Sequence, residues 1–180
     1  MWWGGRVGVT SVVINGTTGV GKSATLQAMG AVLAERRLPH ALVDFDYLSL
    51  AWPAPADDPY NLRLGLRNLT DVAANYREAG LERLAIASVL TSRADADAFL
   101  RATVSERMLV VRLRADARTV EARLRQRHGA QAEWELPWFL ERFQVLQNEL
   151  DAAAIDDVVI DVDDLSPTAV AQEVLGAAGW

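Results

Sequence analysis

Early in the chain a β-branched apolar run gives way to a helical segment through a turn that carries three glycines, and this junction constrains the fold more than anything else in the sequence. Residues 16 to 23 read Gly16-Thr17-Thr18-Gly19-Val20-Gly21-Lys22-Ser23, a complete G-x-x-x-x-G-K-S. The apolar run from Val7 to Asn15 before it reads as a buried strand. From Lys22 to Arg36, Leu26, Met29 and Leu33 recur at helical spacing. Glycines at these positions let the backbone curl until several N–H groups point inward at phosphate oxygens. The helix that opens at Lys22 adds the positive end of its dipole. Lys22 can then reach the β- and γ-phosphates of a nucleotide, and the Ser23 hydroxyl can hold Mg²⁺. Thr25, next on the same helix, joins Gly16 to Ser23 in the candidate nucleotide-binding set. The alternative is a glycine-rich turn with a chance lysine. Eight positions in register between a strand and a helix argue against it.

The rest of the chain repeats the same alternation. Apolar strands are predicted at His40 to Asp46, Leu84 to Leu90, Met108 to Leu113 and Val158 to Asp161. Between them, Asp58 as N-cap with Pro59 at the first position opens a helix with Leu62, Leu66, Leu69, Ala73 and Tyr76 on one face, ending near Gly80. Ser92 with Asp95 forms a capping box for the next helix. Further helices are predicted from about Asp116 to His128, from Trp134 to Leu150 and from Pro167 to Leu175. Five apolar strands alternating with helices imply a single α/β domain over residues 1–180, with a parallel sheet covered on both faces. Its functional residues belong at the carboxyl ends of the strands.

Composition narrows the chemistry. The chain has 180 residues, no cysteine and two histidines, so thiolate chemistry and a histidine metal cluster are excluded. No apolar run approaches the roughly 18 residues that a membrane span needs, and the N-terminus lacks a signal-peptide pattern, so the expectation is a cytoplasmic protein without a membrane partner. A net charge of −6 argues against a nucleic-acid partner. A homodimer is left open.

Two carboxylates close the second strand, in Val43-Asp44-Phe45-Asp46. Strand alternation puts Asp44 and Asp46 on one side, facing the phosphate site. One can order Mg²⁺ while the other accepts the proton of an attacking hydroxyl; the alternative is a pair of solvated turn acids. The arginines sort by partner. Arg118 and Arg125 lie three or four residues from Glu121 and can be neutralised by it. Arg123 and Arg127 have no acid at that spacing and share a face, as either a phosphate clamp or a solvated stripe. Arg67 either pairs with Asp71 or binds an acceptor. Trp52 and Tyr60 either line an acceptor pocket or pack against the core. His40 and His128 read as structural.

These residues resemble the small P-loop kinases related to gluconate, shikimate and adenylylsulfate kinases and chloramphenicol phosphotransferase. The resemblance rests on GTTGVGKS, the D-x-D of Asp44 and Asp46, the stretch Arg123-Leu124-Arg125-Gln126-Arg127, and the closing Asp161-Val162-Asp163-Asp164-Leu165-Ser166-Pro167. It implies a P-loop NTPase three-layer sandwich with a five-stranded parallel sheet and a small helical lid at about residues 123–140. On that likeness ATP and Mg²⁺ are the cofactors. Asp46 is the acceptor-side base, Asp44 and Ser23 order the metal, Arg123 and Arg127 contact ATP, and the loop from Asp161 to Pro167 wraps the adenine. Lys22, Asp44, Asp46 and Arg127 form the catalytic set, with Asp46, Trp52 and Arg67 on the acceptor side.

The chain departs from each named kinase between Tyr47 and Tyr76, where no gluconate, shikimate or adenylylsulfate signature appears. The Trp/Pro-rich loop there suggests an acceptor with some apolar surface. The expected reaction is γ-phosphate transfer from ATP to a hydroxyl of a small metabolite or natural product. The competing class is a P-loop switch or assembly ATPase acting on a protein partner. Such proteins place an acid after the strand beside the P-loop strand, whereas here Ser88, Thr91 and Ser92 follow and the first acid is Asp95. A poorly periodic stretch from Gly129 to Pro137 is the expected flap.

Overall fold

The computed structural model describes residues 10–128 and 132–180, with the backbone only for residues 127, 128 and 132–135. Its five strands are β1 (Thr10–Asn15), β2 (Ala41–Asp44), β3 (Arg83–Ala87), β4 (Arg107–Arg114) and β5 (Val158–Asp161). They form one parallel sheet in the order β2-β3-β1-β4-β5. Positions Val7 to Val9 of the predicted first strand lie outside the described residues. The helices are α1 (Lys22–Glu35), α2 (Phe45–Leu48), α3 (Leu62–Glu78), α4 (Arg93–Thr103), α5 (Ala117–His128), α6 (Ala132–Ala153) and α7 (Pro167–Ala178).

Alternation along β1 shows why the sheet needs two covers. Val12 and Ile14 face one side and Val13 the other, and all three are buried. The first side packs under α1, α5, α6 and α7 through Met29, Leu33, Val120, Phe143 and Val174. The second packs under α3 and α4 through Leu69, Ala73, Phe99 and Ala102. The result is a three-layer sandwich. Because β1 sits in the middle, the chain leaves it toward β2 and β3 on one side and later toward β4 and β5 on the other. The carboxyl end of β1 is therefore the point where connections diverge, which is where open α/β sheets bind ligands.

Several predicted boundaries move, and the third strand ends at Ala87 rather than Leu90. The second strand ends at Asp44 rather than Asp46, because Phe45 turns into the core, 5% exposed, with its ring centroid 4.7 Å from that of Phe99. The Asp58 carboxylate accepts from the first N–H groups of α3, those of Leu62 and Arg63, at 2.8 and 3.0 Å, although Asn61 and not Asp58 holds the N-cap position. Thus α3 starts at Leu62 rather than Pro59, since Asn61 adopts a left-handed conformation (φ 50) that asparagine tolerates. From Ala132 onward the expected flap is part of α6, and Gly129 lies outside the described residues. Pro137 removes one helical hydrogen bond and weakens the visible periodicity. The buried positions Leu136, Phe143, Leu146 and Leu150 still recur at helical spacing, and their burial outweighs that loss.

Gly65 sets the approach of α3 to α2. An ideal Cβ there would stand 2.5 Å from Cζ of Phe45, so only glycine lets the two helices meet. This contact holds α2, and the acids at its start, against the sheet.

Candidate functional site: the phosphate loop and the end of β2

The loop after β1 has the backbone that its glycines predict. Gly16, Gly19 and Gly21 sit at φ 137, 81 and 111, and Gly21 caps α1 in the left-handed region. A Cβ on Gly16 would lie 2.6 Å from the Leu113 carbonyl oxygen, so the loop is pressed against β4. Val20, 1% exposed, anchors the loop in the apolar core. Thr17 is buried, and Thr18 and Gly19 are half-buried. Lys22 lies across the loop, its Nζ donating to the carbonyl oxygens of Gly16 and Thr17 at 3.0 Å each. Thr25 is buried, and its N–H donates to the Gly21 carbonyl.

Ser23, at the start of α1, and Asp44, at the end of β2, meet directly. The Ser23 hydroxyl donates to Asp44 Oδ2 at 2.7 Å. The other carboxylate oxygen accepts from the Asp46 N–H at 3.3 Å, making Asp44 the N-cap of α2. Asp46 therefore stands in the first turn of a helix, exposed, rather than two places along a strand. A carboxylate at the end of a strand can cap whatever follows, and the buried Phe45 decides that a helix follows.

A hydroxyl and one carboxylate beside a phosphate loop suit Mg²⁺, which takes few protein oxygens and fills its octahedron with water and phosphate. Among the described residues no group of three or more His, Asp or Glu side chains forms a denser cage.

Arg123 is neither a solvated stripe nor aimed at open solvent. Its guanidinium donates to the Val20 carbonyl of the phosphate loop and to the Val162 carbonyl after β5, both at 2.8 Å. It braces two loops from α5. The Arg127 side chain lies outside the described residues. Arg125 is held by Glu121 at 2.8 Å, as its spacing predicts.

The segment after β5 is tied further. Val162 N–H donates to Arg114 O, Asp163 accepts from the Asp116 N–H, and Arg114 pairs bidentately with Asp161 at 2.6 and 3.0 Å. The hydrogen bond and charge of Arg114 hold the Asp161 carboxyl below the usual carboxylate range.

On the acceptor side, Trp52 is 93% exposed and Tyr60 69% exposed, so neither packs in the core. Arg67 is also exposed, and among the described residues it forms no ion pair with Asp71. Asn61 Nδ2 donates to the Ser49 and Ala51 carbonyls, and Arg63 binds Asp57 bidentately, so the intervening loop is fastened at its base. Sequence reading missed two participants on α6. The Arg142 guanidinium lies 5.8 Å from the Tyr60 ring centroid, and Trp138, one turn earlier, is 62% exposed. The i, i+4 spacing of Trp138 and Arg142 was visible, but the approach of Arg142 to Tyr60 was not. Asn15, a polar residue closing an apolar strand, was also passed over. His40 is structural as read, its Nδ1 lying 2.8 Å from Leu38 O.

No family model matches the sequence, and no curated protein matches it. The fold does match. The tunicamycin resistance protein of Deinococcus radiodurans superposes with a TM-score of 0.64 at 20% identity, covering 95% of this chain and 96% of that one. A gluconokinase from Sinorhizobium meliloti gives 0.60 at 18% identity, covering 97% and 94%. Shikimate kinase from Acinetobacter baumannii, solved in complex with shikimate, gives 0.58 at 18% identity, covering 96% and 93%. Two of these three are kinases by name, and this chain shares their α/β fold. Among the described residues no helix is long and apolar enough to cross a membrane.

Proposed function

We propose that this protein is an ATP-dependent phosphotransferase that moves the γ-phosphoryl group of ATP to a hydroxyl of a small molecule. The observation that carries the reading is the 2.7 Å contact between Ser23 and Asp44 beside the phosphate loop and Lys22. It brings together a hydroxyl and a carboxylate, from elements far apart in sequence, that could hold a nucleotide-bound Mg²⁺. Backbone N–H groups of Gly16 to Ser23 cradle the phosphates, and Lys22 moves from the loop carbonyls to the β- and γ-phosphates. Ser23 and Asp44 would hold Mg²⁺, which would supply neutralisation of the phosphate charge. Asp46 takes the proton of the acceptor hydroxyl as its oxygen bonds to Pγ and the bond from Pγ to the ADP oxygen breaks. Arg123 holds the loop after β5 for the adenine, and Arg127 at the end of α5 serves the transferred phosphate from a lid at residues 123–140.

A fastened, aromatic-bearing loop follows Asp46 and α2, which supports an acceptor with an apolar part near Trp52 and Tyr60, with Arg67 available for an anionic group. The named substrates of the neighbours, together with a resistance function, favour metabolites or natural products. A partner-driven ATPase is disfavoured, since Asp95, the first acid after β3, caps α4 by accepting from the Thr91 N–H at 3.1 Å.

Acceptor-dependent ADP release tests this, over a panel of sugar acids, cyclitols, nucleosides and antibiotics including tunicamycin. At least one compound should stimulate release and gain a phosphate by mass. Stimulation by no small molecule, with ATP turnover raised instead by a protein partner, would replace the kinase by a switch.

A further inference from the structure

Directly beneath the phosphate loop lies a buried polar hub that the reaction as described does not use. Asn15 is fully buried at the carboxyl end of β1. Its Oδ1 accepts from the Gly16 N–H at 2.9 Å and the Leu90 N–H at 3.0 Å, while its Nδ2 donates to the Leu90 carbonyl at 3.1 Å and to Asp156 Oδ1 at 2.9 Å. Every lone pair and proton of the amide has a partner, and reversing the amide would turn all four contacts repulsive. Asp156, with a side chain 5% exposed, is itself held in place. Its second oxygen lies 3.8 Å from the buried Arg112, whose Nη1 also binds Asp151 at 2.8 Å. Burial pushes the Asp156 carboxyl above the usual carboxylate range.

The hub touches the nucleotide machinery at one atom pair. By engaging the Gly16 N–H, Asn15 sets the plane of the first peptide of the loop. The carbonyl of Gly16 is one of the two that hold Lys22 Nζ. A chain of direct contacts thus runs from Asp156 through Asn15 and Gly16 to the phosphate-binding lysine.

We propose that Asn15 is a positioning residue for phosphoryl transfer, oriented by Asp156, which presets the phosphate loop so that little conformational freedom is lost when nucleotide binds. The proposal rests on the nucleotide-binding reading above. A plain packing role would cost stability alone, whereas a positioning role costs nucleotide affinity in protein that is still folded.

The test measures Mg·AMP-PNP affinity by calorimetry alongside thermal melting, at a temperature where each variant is folded. Asn15→Asp sets a carboxylate oxygen against Asp156 and against Leu90 O, and should weaken binding at least tenfold. Asp156→Asn, nearly the same shape and so the variant expected to fold best, should weaken it by about three- to fivefold, since the Leu90 contacts still orient the amide. Combining the two restores one donor–acceptor pair and should recover part of the affinity lost in Asn15→Asp. Variants that melt lower yet bind within twofold of the parent would overturn the proposal and leave nucleotide binding intact. A parent protein that does not bind Mg·AMP-PNP would overturn the nucleotide reading itself, and this inference with it.

Discussion

The phosphate loop and the loop from Ser49 to Asn61 flank the same strand ends but are built in opposite ways. The first is pinned from below by Asn15, from the side by Arg123, and by a buried Val20, so its conformation belongs to the core. The second is fastened at its base by Asn61 and Asp58, yet presents Trp52 and Tyr60 to solvent. A site for a fixed chemical group, the nucleotide phosphates, can be preset within the fold. A site that selects one acceptor among many is carried by surface side chains whose replacement disturbs little else.

That contrast yields graded predictions. Lys22→Ala should remove phosphoryl transfer by at least about 10³-fold, as expected when a charge donor to the transferred group is lost. The fold should survive, because Lys22 contributes nothing to the apolar core; circular dichroism and a steady-state assay check both. Near-normal turnover would void the phosphate-site assignment.

Asp46→Asn should lower kcat by about 10²-fold or more with ATP binding unchanged. Asp44→Asn should instead raise the Mg²⁺ concentration needed for half-maximal rate by about 10- to 100-fold, as the proposed role of ordering the metal beside Ser23 requires. A Mg²⁺ titration separates the two, and silence at both positions would return the pair to a capping role.

Arg123→Ala should destabilise the protein by about 2 kcal/mol, since it leaves two carbonyls without a charged donor, and should weaken ATP binding. Arg123→Lys should rescue little, as an ammonium cannot span both carbonyls. Rescue of kcat by lysine would show the guanidinium acting on phosphate as a charge, blurring the line between brace and clamp.

The smallest structural effect belongs to the acceptor side. Trp52→Ala should change stability by no more than about 0.5 kcal/mol, being a surface change. It should raise KM for an apolar acceptor while leaving KM for ATP unchanged. An equal rise in both would mean that the loop serves the nucleotide, and the comparison between the two loops would fail.

The sequence disclosed the parts governed by local rules. Gly16, Gly19 and Gly21 announce their backbone because other residues avoid positive φ. Ser92 caps α4 by accepting from the Asp95 N–H, and the Asp95 carboxylate reaches back to the Thr91 N–H, much as their capping-box spacing says. The apolar faces of α3 and β1 are buried as their periods require. Arg123 was legible only as an arginine lacking a nearby acid, because its partners are carbonyls of Val20 and Val162, which carry no signal in side-chain identity. Asp46 was misplaced because alternation assumes that the strand continues, while the burial of Phe45 against Phe99 ends it.

By itself, then, the amino-acid order determined a parallel α/β sheet with a phosphate-binding turn after its first strand, since period, glycine placement and capping act within a few residues. Only the tertiary structure decided that Ser23 meets Asp44, that Arg123 ties two loops, that Arg142 reaches Tyr60 and that Asn15 joins Asp156. Each of these contacts links segments distant along the chain, and their geometry exists only once the two helical layers have closed on the sheet and brought the strand ends together.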